Sequence, residues 1–257
     1  MSKYTQLTSE SIREDIEEYI DTHGIIPHEA LPSERELAEL LQVNRVSLRR
    51  AIAQMAGENR IYTVRGHGTF LSPPKFLEQT TTHISFTDSW RNEGHRVRSE
   101  VLRFAEEEAN LKVSQTLSVP LGSPVFELRR LRLIDETPVA VETSYLLASL
   151  CPGLTSFHFG GELSLYATLS QRYGIRITRQ QQRLRTTRLT EEEARLMGSE
   201  PGGSAFYMVA AGYGDDGVPV EHSVAITRAD RYAIVSEANL APKIPPPEPC
   251  DRPNERQ

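Results

Sequence analysis

The chain has 257 residues, of which 38% are hydrophobic and 25% are charged, and its formal net charge is −6 at pH 7. These values are typical of a globular protein with about two domains, and they exclude a collagen-like or low-complexity chain. No apolar run approaches the roughly 20 residues that span a bilayer, and the N-terminus lacks a signal-peptide pattern, so we expect a cytoplasmic protein with no membrane partner.

The two cysteines do not form a site by themselves. Cys151 and Cys250 are far apart in sequence, and Cys250 lies in a proline-rich segment. Neither a disulfide framework nor a metal site can be built from two such thiols alone. We therefore expect no metal and no cofactor.

The first two helices have clear sequence signals. Isoleucines recur on one face between Ser9 and His23, which predicts a helix over 9–23. Ser33 stands three residues before Glu36, which is the spacing of a capping box at the start of a second helix. Three leucines at helical spacing follow before a turn at Gln42, so we expect two short helices that share a core.

A third helix follows at once. Asn44 is a good N-cap residue, and the apolar residues after it recur at helical spacing. Arg45 and Arg49 lie four residues apart on one flank of this helix, and Ser47 and Arg50 also lie off its apolar stripe. Two helices joined by a short turn, with arginines near the start of the second, are typical of a helix-turn-helix that reads the major groove.

A β-hairpin is predicted after the third helix. The β-runs 61–64 and 69–71 flank the glycine-rich turn Arg65-Gly66-His67-Gly68. The arginines between residues 44 and 70 face a single acid, Glu58, so this region is locally basic although the chain is acidic. A basic hairpin tip beside a recognition helix can contact the adjacent minor groove or its phosphates.

The stretch 31–70 resembles the winged helix-turn-helix of the GntR family of bacterial transcription regulators. The resemblance is carried by Leu-Pro-Ser-Glu-Arg-Glu-Leu-Ala at 31–38, Leu-Arg-Arg-Ala-Ile at 48–52 and Arg-Gly-His-Gly-Thr-Phe at 65–70. Asn44 and Val46 depart from the usual Ser or Thr. The resemblance implies binding to double-stranded operator DNA, and the expected contact residues are Ser33, Arg35, Asn44, Arg45, Ser47, Arg49, Arg65, Gly66, His67 and Gly68.

The remaining sequence predicts an α+β domain with a mainly antiparallel sheet. Long alternating runs are interrupted by short helical segments, and Asp215-Asp216-Gly217 is a strong hairpin turn. Consecutive prolines after the hairpin indicate a linker, and the prolines beyond residue 241 indicate disorder. The predicted boundaries are 1–72 for the DNA-binding domain, 73–80 for the linker, 81–240 for the second domain and 241–257 for a disordered tail.

Polar residues in this domain suggest an anion site. Arg130 and Arg132 lie two apart on one strand, so both side chains share a face, and arginine offers paired donors to phosphate or carboxylate. Two predicted helix starts, at Ser85-Phe86-Thr87 and at Ser164, offer hydroxyls and free N–H groups. Glutamates of two other strands, Glu142 and Glu221, can accept hydrogen bonds from ligand hydroxyls or an amine.

Residues 80 to about 240 resemble the UTRA effector domain of the HutC subfamily of GntR regulators, which shares the chorismate lyase fold. Further residues that carry this resemblance are Tyr145, Tyr166, Ser223 and Tyr232, whereas His222 replaces the usual Tyr or Phe. The resemblance implies a homodimeric repressor with a small anionic effector, either a phosphosugar or a carboxylate. The effector residues it implies are Ser85, Phe86, Thr87, Arg130, Arg132, Glu142, Tyr145, Ser164, Tyr166, Glu221, Ser223 and Tyr232.

Two other functions are compatible with this domain. It can be a dimerisation domain that binds no effector, in which case the polar cluster is a hydrogen-bonded sheet face. It can also be a lyase-type enzyme, but no nucleophile-base pair, metal spacing or phosphate loop stands out in the sequence. We therefore expect no catalytic residues.

Overall fold

The computed structural model describes residues 9–79 and 85–236. Three helices form the first core: α1 (Ser9–His23), α2 (Glu34–Leu40) and α3 (Arg45–Gly57). All three helices place apolar residues in one cluster, as their spacing predicts. The fully buried members are Ile12, Ile16, Leu37, Leu48, Ala51 and Met55.

Side-chain caps fix the starts of α2 and α3. Ser33 Oγ accepts a hydrogen bond from the Glu36 backbone N–H, and the Glu36 carboxylate accepts one from the Ser33 backbone N–H at 2.9 Å. Asn44 Oδ1 accepts from the Ser47 backbone N–H at 2.8 Å. The predicted capping box and N-cap are both confirmed, and only a short turn separates the two helices.

A two-stranded wing follows α3. Strands β1 (Ile61–Val64) and β2 (Gly68–Leu71) pair antiparallel, with Ile61 opposite Leu71 and Val64 opposite Gly68. Gly66 and Gly68 have φ angles of 82° and 119°, a region that residues with a Cβ rarely adopt, so the tight tip requires glycine. Together with the three helices, this hairpin confirms the predicted winged helix-turn-helix.

A six-stranded antiparallel sheet forms the second domain, as predicted. The strand order is β4-β5-β6-β9-β8-β7, so β4 and β7 are its two edges. Hairpins join β5 to β6 and β8 to β9, and the second of them contains the predicted turn Asp215-Asp216-Gly217. The strands are β4 (Val97–Glu108), β5 (Pro124–Ile134), β6 (Thr137–Leu147), β7 (Ile177–Arg188), β8 (Ser204–Gly214) and β9 (Pro219–Arg228).

Four helices cover parts of both faces of this sheet. Helices α4 (Phe86–Asn92) and α6 (Leu165–Tyr173) pack on the face that carries Arg130 and Arg132, which we call the cavity face. Helices α5 (Leu111–Leu117) and α7 (Glu191–Leu196) pack on the other face, which we call the far face. Alternate residues of each strand therefore belong to different clusters.

One feature differs from the predicted organisation. Strand β3 (Phe76–Gln79) falls within the expected linker 73–80, and it pairs in parallel with β10 (Tyr232–Val235). Most of the segment that joins the two domains is therefore a strand of the second domain, and only a few residues around Pro73 and Pro74 separate it from the wing.

Within the described ranges, no helix combines the length and apolar character needed to cross a membrane. Residues 1–8 and 80–84, the last residues of the second domain and the predicted disordered tail lie outside the described residues.

Candidate functional site

The DNA-binding residues predicted on α2 and α3 are mostly exposed. Arg45 and Arg49 lie on the exposed side of α3, next to Val46, whose side chain is 65% exposed. Arg49 Nε lies 2.6 Å from a Glu34 carboxylate oxygen, and Arg35 Nε lies 3.5 Å from one of Glu39. Ion pairs this exposed contribute little to stability, so both guanidiniums can exchange their partners for phosphates at small cost.

The remaining predicted DNA-binding residues have two kinds of environment. The wing residues Arg65, Gly66 and His67 are exposed at the hairpin tip. Ser33 and Asn44, in contrast, use their side-chain oxygens to cap helices. These two residues thus have a structural role whether or not they also approach a phosphate.

A cavity of about 80 Å³ lies on the cavity face of the sheet, next to the starts of α4 and α6. It contains all but two of the residues that sequence analysis assigned to effector binding. Those that line it are Ser85, Phe86, Thr87, Arg130, Arg132, Glu142, Tyr166, Glu221, Ser223 and Tyr232.

Two buried arginines share one carboxylate in this cavity. Arg130 Nη2 and Arg132 Nη1 donate to the same oxygen of Glu142, at 2.5 Å and 2.9 Å. Burial alone would raise the pKa of Glu142. The two neighbouring guanidiniums outweigh burial, so the pKa lies below its ordinary value. Burial and the neighbouring Arg130 lower the pKa of Arg132 to about 10. Arg132 therefore remains charged at neutral pH although it is only 2% exposed.

The arginine side chains retain free donors. Nε and Nη1 of Arg130 and Nε of Arg132 are buried without a hydrogen-bond partner. Arg132 is further fixed by Thr87, whose Oγ1 accepts from Nη2 at 2.8 Å, and by Phe86, whose ring centroid lies 4.4 Å from Cζ. Unpaired buried N–H groups of a cation are costly, so this part of the cavity favours an anionic acceptor.

Glu221 lies on another wall of the cavity. Its carboxylate accepts a hydrogen bond from the Tyr166 hydroxyl at 2.8 Å, and Gln180 Nε2 donates to that hydroxyl at 3.3 Å. Burial and the charge of Glu142 raise the pKa of Glu221. Burial also raises the pKa of Tyr166. This wall offers acceptors, and Glu221 holds a proton more strongly than an exposed glutamate does.

Glu78 lines the cavity although sequence analysis did not identify it. It lies on β3 and interacts with the Tyr232 hydroxyl of the paired strand β10. Burial raises the pKa of Glu78, and its Oε2 is buried without a hydrogen-bond partner. No local sequence signal could have identified it, because the pairing that brings it here joins distant parts of the chain.

Two further residues that line the cavity could have been predicted from the sequence. Gln180 and Gln182 lie two apart on β7, so their side chains share the cavity face, as those of Arg130 and Arg132 do. Polar residues at alternate positions of a strand beside a helix-covered face could have identified them. Met208 and Thr227 complete this side of the cavity.

Tyr145 and Ser164 are the two predicted residues that do not line the cavity. Ser164 lies directly behind it, with Oγ 3.3 Å from Ser85 Oγ. Tyr145 points to the far face, where its hydroxyl donates to Glu127 at 3.2 Å. Since Glu142 belongs to the cavity face and lies an odd number of residues away, strand alternation directs Tyr145 to the far face, and we remove it from the effector residues.

The cavity combines two guanidiniums with three carboxyl groups, those of Glu78, Glu142 and Glu221. Free N–H groups of the arginines can bind an anion, and the two carboxyls with raised pKa can bind hydroxyl or amine groups. Across the described residues, no cluster of His, Cys, Asp and Glu could hold a metal ion. This set of donors and acceptors can bind a small polar molecule that carries a negative charge.

Two family descriptions match the chain. Residues 8–71 match "Bacterial regulatory proteins, gntR family", and residues 92–233 match "UTRA domain". The first range contains the helices and the wing, and the second contains the six-stranded sheet with most of the cavity residues.

Individual proteins are similar over nearly the whole chain. The HTH-type transcriptional repressor NagR of Bacillus subtilis is 29% identical over 224 residues, which are 87% of this chain and 91% of that protein. The HTH-type transcriptional repressor PhnF of Mycolicibacterium smegmatis is 29% identical over 90% of this chain and 92% of that protein. A crystal structure of PhnF from Mycobacterium smegmatis has a TM-score of 0.62 at 26% identity, covering 89% of this chain and 99% of that one.

Proposed function

The chain belongs to the GntR family of bacterial regulatory proteins and carries a UTRA domain, and from this premise we propose that it is a homodimeric repressor controlled by a small anionic effector. Family membership makes it a DNA-binding transcription regulator and not an enzyme. We further propose which residues contact DNA, which class of effector binds, that the protein is a dimer, and that it acts in the cytoplasm.

For DNA binding, we propose that α3 enters the major groove and that the wing contacts the adjacent backbone. Arg45 and Arg49 are exposed near the start of α3, where a recognition helix meets base edges. Arg35 and the wing residues Arg65 and His67 are exposed as well and suit phosphate contacts. A homodimer would place two such units on the half-sites of an imperfect palindrome.

The proposal of effector binding rests on the burial of Arg130 with unpaired nitrogens. It is only 2% exposed, and two of its nitrogens have no partner although the cavity lies beside them. An anionic group that accepts from Nε and Nη1 would remove this cost. Phosphate has more acceptor atoms than carboxylate, so a phosphosugar fits the arginines and the carboxyl groups of Glu78 and Glu221 better than a simple carboxylate does.

Strand β3 can transmit the effect of a bound effector to the DNA-binding domain. Strand β3 begins shortly after Pro74, and Glu78 of this strand lines the cavity. The parallel pairing with β10 and the contact of the Phe76 ring with Trp90 at 5.7 Å hold the strand in place. An effector that shifts Glu78 would therefore move the segment that leads to the wing, which we propose lowers operator affinity.

Thermal unfolding against inorganic phosphate, a hexose phosphate and citrate tests the effector class. A ligand at about a hundred times its dissociation constant should add about 2.7 kcal/mol to the free energy of unfolding. We expect stabilisation of the wild type and of Arg172→Lys, an exposed position on α6, but much less of Arg130→Lys, which keeps the charge and loses the planar fork. Equal stabilisation of Arg130→Lys, or none by any of the three, would contradict the proposed site.

A DNA-binding measurement then tests regulation. The protein itself selects its operator from a random-sequence pool, and the ligand found above is titrated into the complex. We expect a fall in operator affinity of about a hundredfold, which corresponds to roughly 3 kcal/mol of coupling. Unchanged affinity with the ligand bound would leave DNA binding intact and overturn effector control.

A further inference from the structure

A cavity of about 270 Å³ lies between the DNA-binding domain and the second domain. The second domain contributes Asp230 and Arg231, which form the turn between β9 and β10 and which we call the docking turn. The residues on the other side of the cavity are His28, Asn59, Tyr62, Ser72 and Pro73. The chain itself passes between the domains through Pro73 and Pro74, so the docking turn is a second place at which the domains meet.

The docking turn is firmly attached to the second domain. Arg228, which is buried, donates to both carboxylate oxygens of Asp230: Nε to Oδ1 at 3.0 Å and Nη2 to Oδ2 at 2.6 Å. Nη1 of the same guanidinium donates to the Met197 carbonyl at 2.6 Å. The backbone carbonyl of Arg231 accepts from the Phe76 N–H at 2.9 Å. Two parallel hydrogen bonds fix a carboxylate in direction as well as in position, so the turn is a rigid support.

The surface of the DNA-binding domain that faces this turn is fixed by its own contacts. The Tyr62 ring stacks on that of Phe70, with centroids 5.4 Å apart, and its hydroxyl lies 3.0 Å from His28 Nδ1. The His28 backbone N–H donates to the Leu71 carbonyl at 2.9 Å. Tyr62 and Phe70 pair near the base of the wing. A contact at the base leaves the wing tip and the exposed arginines of α3 free to bind DNA.

Charged groups of both domains lie close to the connecting segment. Lys75 is half-buried, and burial lowers its pKa. The charges of Asp230, in the docking turn, and of Glu58, at the end of α3, oppose this change. Burial also lowers the pKa of Arg231, and Asp230 and Tyr62 oppose it. Each cation is therefore partly buried beside groups of both domains, which is expected at a packed boundary and not in a flexible linker.

We propose that the docking turn holds the DNA-binding domain in one orientation through the contact of Arg231 with the base of the wing at Tyr62. An orientation that is fixed before binding reduces the freedom lost when two DNA-binding domains meet two half-sites, so operator affinity depends on it. The next residue, Tyr232, lines the effector cavity, so an effector that moves β10 also moves the docking turn. The docked contact is independent of the proposed function, whereas its role in regulation rests on that function.

Lysine-specific proteolysis of the full chain tests the docked contact. The chain has four lysines, at positions 3, 75, 112 and 243, and only cleavage after Lys75 separates the two domains. We expect Arg231→Ala to raise the rate of cleavage after Lys75 at least about fivefold, because loss of the contact exposes the connecting segment more often. Lys112 on α5 is the internal reference, since its backbone N–H is held by the Asn110 cap. The ratio of the two rates in one sample separates loss of docking from general unfolding.

Two further variants make this test specific. Tyr62→Leu removes the other side of the contact and should raise the same ratio. Arg172→Ala, at an exposed position on α6, should leave the ratio at its wild-type value. Wild-type ratios in both Arg231→Ala and Tyr62→Leu would overturn the docked contact.

Operator binding then separates the docked contact from its role in regulation. The operator that the protein selects is compared with a single half-site. We expect Arg231→Ala to lower affinity for the full operator about tenfold and to leave affinity for the half-site unchanged, because only simultaneous binding of two domains depends on their orientation. A raised cleavage ratio with unchanged operator affinity would keep the contact and overturn its role. A wild-type chain that selects no operator would overturn the proposed function and the regulatory role with it, but not the docked contact.

Discussion

Ser85 Oγ and Ser164 Oγ lie 3.3 Å apart although the two residues are separated by 79 positions in the chain. Each is the N-cap of a helix: Ser85 accepts from the Asp88 backbone N–H, and Ser164 accepts from that of Ala167. The starts of the two helices therefore meet at the cavity, and the buried hydroxyl groups of Ser85 and Ser164 lie in contact there.

This contact predicts the effect of a single substitution. Ser164→Ala removes the cap of α6 and leaves Ser85 without its neighbour, so the free energy of unfolding should fall by about 1 kcal/mol. Urea unfolding followed by circular dichroism measures the change. Ser170→Ala, inside the same helix, should be neutral or slightly stabilising, because alanine favours helix interiors. Equal effects of the two substitutions would refute a capping role.

Arg45→Ala should weaken binding to the selected operator by about 1–3 kcal/mol if its guanidinium reads a base edge. If it contacts a phosphate, the loss should be similar for all sequences, and the slope of log affinity against log salt should fall by about one. Fluorescence anisotropy at several salt concentrations measures both quantities. Arg172→Ala removes the same charge from the second domain and should change neither, and an Arg45→Ala protein with wild-type affinity would exclude contact.

Local sequence signals were sufficient to predict most of the helices and strands. The helix over Ser9–His23, the capping box at Ser33 and the N-cap at Asn44 were predicted at their observed positions, because each depends only on residues within one or two turns. No local sequence signal predicted the order of the strands in the sheet. Pairing of β3 with β10 joins residues from opposite ends of the second domain, and a four-residue strand after two prolines resembles a linker.

The same distinction applies to the cavity. Arg130 and Arg132 were recognisable as a pair since alternation on a strand gives them one face. Alternation also directs Tyr145 and His222 to the far face, and applying it to every strand would have separated them from Glu142 and Glu221. Glu78 enters the cavity through the long-range β3 pairing, and the sequence offered no comparable signal for it.

The buried Glu221 predicts how stability depends on pH. Its pKa is raised above the ordinary 4.5 by burial and by Glu142, so the folded chain binds this proton more tightly than the unfolded chain does. The contribution of Glu221 to the free energy of unfolding is therefore fully present below about pH 4.5, and it is lost as the pH rises through the raised pKa. Urea unfolding between about pH 5 and about pH 8 should show a smaller decline in Glu221→Gln than in the wild type. Parallel curves would contradict the raised pKa. The lowered pKa of Glu142 acts only below this range.

Glu78→Gln should uncouple effector binding from operator release. Glu78 lines the cavity from β3, the strand that follows the wing, so its contact with an effector can depend on the position of that strand. An effector shifts an equilibrium only by its difference in affinity for the two states. We therefore expect the ratio of operator dissociation constants with and without saturating effector to fall from about a hundredfold towards one. Glu221→Gln is the matched control, because it makes the same change in the same cavity on β9, away from the linker. It should alter effector affinity but keep the ratio at saturation, and equal ratios in the two variants would exclude transmission through Glu78.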